Sequence, residues 1–180
     1  SANMWVNPGE IAGNGVDDDN NGYVDDIHGY DFGELDSDPM PDSGDQHGTH
    51  VAGIAGAVGN NGIGVSGVNW NVKLMAVKIF GNAGSFVSTI VDSLNYAVDN
   101  GAFVSNHSYN TGTGGPILAH QAAVLNAQAR GHVFVASAGN TAGDNDVIDH
   151  YPSDYPFDNV VAVAATDNQD MIANFSNFGA

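Results

Sequence analysis

Residues 102–140 read AFVSNHSYNTGTGGPILAHQAAVLNAQARGHVFVASAGN, and this stretch decides the fold. Ala102 to Ser105 is a short apolar strand. Ile117 to Arg130 carries apolar residues at Leu118, Ala122, Leu125 and Ala129, a helical spacing that Gly131 stops. His132 to Ala136 is a second Val- and Ala-rich strand. Near-continuous apolar strands joined by a helix indicate right-handed crossovers on a parallel sheet. Outward from this unit the pattern repeats. Phe86 to Asn100 has apolar residues at Val87, Ile90, Val91, Leu94, Ala97 and Val98, again helical, and ends at Asn100-Gly101. Strands are expected near 73–79 and 160–165. His47 to Val58 is a helix whose Gly48, Ala52, Gly53 and Gly56 allow close packing. The predicted class is α/β, an open parallel sheet with helices on both faces.

The composition excludes several functions. Three Lys+Arg against 21 Asp+Glu leave a formal charge of −18 over 180 residues. A nucleic-acid groove needs a basic stripe, and Lys73, Lys78 and Arg130 cannot build one. The same deficit excludes attraction to an anionic membrane. The longest apolar run, Val160 to Ala165, is too short for a bilayer. No basic-then-apolar leader precedes it. Without cysteine there are no disulfides or thiolate sites. An acidic, lysine-poor, cysteine-free chain suits a secreted or salt-tolerant protein. Its acids are uneven: 12 of the 21 fall in the first 45 residues, which hold no Lys or Arg. The expected layout is therefore an acidic loop region over 1–45 and an α/β core over 46–180.

Within the acidic region, Asp17, Asp19 and Asn21 take positions 1, 3 and 5 of an oxygen-ligand calcium loop. Gly22 makes its sharp turn, Tyr23 offers a carbonyl at position 7, and Asp25 falls at position 9. His28 replaces the usual acid at position 12, and Asp26 is the best substitute. The alternative is a solvated acidic turn.

Two further motifs carry chemistry. In Asp45-Gln46-His47-Gly48-Thr49-His50-Val51-Ala52-Gly53, a His in the first helical turn can face a cleft. His47 and His50 lack the third ligand of a zinc site. In Ser137-Ala138-Gly139-Asn140, an Asn just past a parallel strand sits where such sheets place ligands. Its amide can donate to a developing oxyanion. The alternative is plain turn chemistry.

Together these motifs resemble the subtilisin-like serine peptidases, the subtilase family. Asn60 to Val68, Val77 to Gly81, Tyr151-Pro152 and Phe175 to Gly179 resemble later family segments. The resemblance implies that His47 is the general base and acid and Asn140 the oxyanion donor, both facing one cleft. It implies that Gly84, Ser85 and Phe86 flank one side of an extended peptide and Ser108, Tyr109 and Asn110 the other. Ala136, Ser137, Ala138 and Gly139 would line the primary pocket. Asn61, with the carbonyls of Gly59, Ile63 and Val65, would belong to a second, incomplete calcium site. Ser108-Tyr109-Asn110 departs from the family's Ser-Leu-Gly or Ser-Trp-Gly, and His107 replaces an apolar or amide residue. The family's catalytic Asp precedes this stretch and its Gly-Thr-Ser nucleophile motif follows it; neither occurs here. The chain is expected to be the middle of a catalytic domain, without turnover of its own. The alternative is a non-catalytic peptide-binding module or a calcium-binding structural module.

Overall fold

A computed structural model describes residues 1–81 and 86–179. The chain divides into two compact units, Ser1–Ser93 and Leu94–Ala180. In the first, β1 (Gly29–Asp31), α1 (His47–Gly56) and β2 (Ala76–Lys78) are the regular elements. β1 and β2 pair in parallel with Gly29 opposite Ala76. Gly29 has φ +127°, and a Cβ there would sit 1.7 Å from the Ala76 carbonyl oxygen, so only glycine fits. β1 lies inside the acidic stretch, within the strand-like piece Ile27 to Phe32 that its sequence offers. Its buried Phe32 packs in a ring cluster with Tyr23 and Tyr30. The Lys78 ammonium donates to Asp31 at 2.6 Å and pairs with Asp42 at 2.8 Å. Those two carboxylates hold the Lys78 ammonium well above its ordinary value.

α1 ends two residues earlier than the sequence suggests. The buried Asn3 donates to the carbonyls of Gly56, at 2.8 Å, and Trp70, at 3.0 Å, taking up a helix-end acceptor. Gly56 is tight, since a Cβ would lie 2.4 Å from Val72 Cγ1, whereas Gly48 and Gly53 face open space. Of those three glycines only Gly56 therefore serves close packing. β2 is shorter than its apolar run and only half-buried, and Phe80 is exposed.

α2 (Phe86–Asp99) leads into the second unit and buries Ile90, Leu94, Ala97 and Val98, the expected stripe. There follow β3 (Val104–His107), α3 (Leu118–Ala129), β4 (Val133–Ser137) and β5 (Val160–Val163). The three strands form a parallel sheet in the order β3-β4-β5. Phe134 on the central strand is fully buried. The buried face of α3 is His120, Ala123, Val124 and Ala127. Leu118 and Leu125 are exposed, so the face expected from the leucines is corrected. Treating His120 as polar rotates that stripe away from the true one.

Candidate active site

His47 opens α1, as expected, and its backbone N–H donates to the Asp45 carboxylate at 3.2 Å. Its imidazole is exposed. Asn140 follows β4 by three residues in the second unit, also exposed. The path to it turns at Gly139, whose φ is +119° and whose absent Cβ would meet Asn177 Nδ2 at 2.5 Å. Both conditions demand glycine there.

Ser108, Tyr109 and Asn110 lie just beyond the β3–β4 ladder, which ends with His107 opposite Ala136. Ala136, Ser137, Ala138 and Gly139 run along the end of the adjacent β4. The two proposed substrate segments of this unit thus sit side by side. Phe86 starts α2 and stacks on Phe80 at a centroid distance of 5.7 Å. Gly84 and Ser85 lie outside the described residues.

A chain of hydrogen bonds that no local pattern reports runs through Tyr109. His132 Nδ1 meets the Ala102 carbonyl at 2.7 Å and its Nε2 meets Ser105 Oγ at 2.6 Å. Ser105 Oγ meets His107 Nε2 at 2.6 Å, and His107 Nδ1 meets the Tyr109 hydroxyl at 3.0 Å. That hydroxyl meets His120 Nε2 at 3.1 Å, and His120 Nδ1 meets the Tyr155 hydroxyl at 3.2 Å. Burial drives all three imidazoles toward the neutral form, His120 down to about 4. Burial likewise raises the Tyr109 hydroxyl and pushes that of Tyr155 to about 12.

In the first unit the carboxylates of Glu10, Asp19 and Asp26 converge, with ligand oxygens within 4.8 Å of one another. Glu10 was not anticipated, because it lies seven residues before the motif and reaches it only through the loop's fold. Backbone N–H groups donate to carboxylates throughout these loops: those of Asn21 and Gly22 to Asp17, those of Gly13, Asn14 and Gly15 to Asp25, and those of Asp18, Asp19 and Asp25 to Glu10. Asn21 points its amide nitrogen at Asp19 and Asp26, as Asn7 does. Tyr23 packs its ring on Tyr30, and its N–H donates to Asn21 Oδ1. At the second expected site, Asn61 Oδ1 accepts from the Ile63 N–H at 3.0 Å, a local turn.

A family model described as "Subtilase family" matches residues 9–180. The chain is 40% identical over 154 residues to thermitase of Thermoactinomyces vulgaris, covering 85% of this chain and 52% of that protein. It is 42% identical to a thermophilic serine proteinase of Bacillus sp. (strain AK1), covering 85% of this chain and 36% of that one. Among solved structures, a cold adapted subtilisin-like serine proteinase superposes with a TM-score of 0.66 at 31% identity, over 84% of this chain and 51% of the other. The chain thus spans about half or less of the length of these relatives.

Proposed function

The chain belongs to the subtilase family, and from that premise we propose that it forms the middle of a secreted serine endopeptidase acting on extended peptides. His47 takes the proton from a serine hydroxyl supplied by sequence outside these residues and returns it to the leaving amine. Asn140 donates to the oxyanion that forms on attack. The 108–110 edge pairs with the substrate backbone, and Ala136 to Gly139 line the pocket for the residue before the scissile bond. The observation that carries this reading is the placement of Asn140 on an exposed turn just past β4, whose neighbour β3 runs on into 108–110 beyond the last ladder pair. Among the described residues no helix is long and apolar enough to cross a membrane.

The test is peptide hydrolysis by the full-length protein. Activity should be blocked by a serine-directed covalent inhibitor and absent from the isolated 180 residues. Asn140→Ala should lower kcat by about 10²–10³, the loss known for the equivalent donor in subtilisin. Peptide binding without hydrolysis would favour the non-catalytic module, and hydrolysis insensitive to the inhibitor would overturn the reading.

Calcium is the cofactor proposed for the acidic loops. Glu10, Asp19 and Asp26 offer the hard oxygen donors that this ion takes, and the Asp26 side chain is fully buried. Bound there, calcium would neutralise the converging carboxylates and hold the loops of residues 10–26 together. Calcium at 100 times its Kd should stabilise the native state by about 2.7 kcal/mol and raise the melting temperature. Asp19→Ala and Glu10→Gln should each blunt that rise. An unchanged calcium response in both variants would remove the site.

A further inference from the structure

The turn that carries Asn140 is gripped from the far side by one buried residue. Asn177 is 2% exposed. Its Oδ1 accepts from the Thr141 N–H at 2.8 Å, the Thr141 hydroxyl at 2.9 Å and the Gly143 N–H at 3.2 Å. Its backbone N–H donates to the Gly139 carbonyl at 3.0 Å. Both chain neighbours of Asn140 are therefore tied to a single side chain and its own backbone. The orientation of the amide follows from its partners. Asn145 must turn its NH₂ toward the Ala138 carbonyl, 3.0 Å away, which leaves its Oδ1 to accept from Asn177 Nδ2 at 3.0 Å. The Asn177 oxygen is then committed to Thr141 and Gly143.

Flanking strands of hydrogen bonds complete the clamp: Ala142 N–H donates to Phe175, Asn145 N–H to Phe178, and Phe178 N–H to Gly143. Asn140 is exposed at the head of this turn, followed by the exposed Thr141 and Ala142. An oxyanion donor works only when aimed at where charge develops, and a misplacement of about 1 Å can cost about 10²-fold in rate.

We propose that Asn177 is a positioning residue for catalysis, fixing the peptide planes on either side of Asn140 so that its amide faces the reacting carbonyl. The assignment rests on reading Asn140 as the oxyanion donor. Asn177 touches no substrate; its effect passes through Asn140.

The test is a double-mutant cycle in the full-length protein, with kcat and KM measured on a peptide amide. Asn177→Ala should lower kcat at least about tenfold, with KM within about twofold of wild type. In an Asn140→Ala background the same change should cost nothing further. Should Asn177→Ala fail to fold, Thr141→Ala removes only the hydroxyl grip. It should lower kcat severalfold, again with no effect once Asn140 is gone. Additive losses in the double variants, or a change confined to KM, would overturn the positioning role while leaving Asn140 as donor. An Asn140→Ala variant with unchanged kcat would instead refute the oxyanion reading, and the assignment of Asn177 with it.

Discussion

Lowering the pH from 7 to 5 is expected to reduce the melting temperature by about 4–8 °C through His120 alone, from about 2 kcal/mol of lost stability. The hydrogen-bond chain explains why. The Ala102 carbonyl can only accept, so His132 Nδ1 carries its proton and His132 Nε2 accepts from Ser105. Ser105 has then spent its one proton and must accept from His107 Nε2, so His107 Nδ1 accepts from Tyr109. Tyr109 in turn accepts from His120 Nε2, and His120 Nδ1 accepts from Tyr155. With all three rings neutral, each donor along the chain meets an acceptor. A proton added to His120 sets its Nδ1–H against the Tyr155 O–H, which must then turn away.

The other charged or titratable groups facing this chain are Arg130 beside His132 and Tyr151 beside Tyr155. Arg130 further disfavours protonation of His132. His120 titrates near 4 in the folded state and near 6.5 unfolded, so the unfolded chain binds more protons below pH 6.5. Its stabilising contribution is whole above about pH 6.5, declines through the window down to about 4, and levels off below it. His107 and His132 act in the same direction. Melting curves from pH 7 to 4 check this. His120→Gln should flatten the slope by about one proton, and a melting temperature unchanged between pH 7 and 5 would contradict it.

How much of this was legible in the residues differs by element. α2 was, because its stripe is made of Ile, Leu, Ala and Val and its stop is Asn-Gly. The parallel strands were, because each falls in or beside an apolar run, although only β4 buries alternate residues and β2, β3 and β5 are largely half-buried or exposed. α3 was legible as a helix but not by its face. His120 is buried through hydrogen bonds to tyrosines from two other segments, and no local pattern reports that. The acidic loops show the same limit. Asp19 and Asp26 lie in the motif, but Glu10, whose carboxylate gathers with theirs, comes from seven residues before it, and only the folded loop brings the three together. Asn177 sits 37 positions from Asn140, and only the folded chain joins them.

His47→Ala is the variant on which the functional account depends. The imidazole is exposed in the first turn of α1 and its helix is held by other contacts, so the substitution should leave the melting temperature unchanged. A triad acts as a unit, and loss of its histidine in subtilisin costs about 10⁶ in kcat. The most direct measurement is kcat for hydrolysis of an extended peptide amide by the full-length protein and its His47→Ala variant. The reading predicts a loss on the order of 10⁶ in kcat with KM little changed. A correctly folded His47→Ala protein that keeps activity within about tenfold of wild type would contradict it, since no general base at His47 could then be part of the reaction.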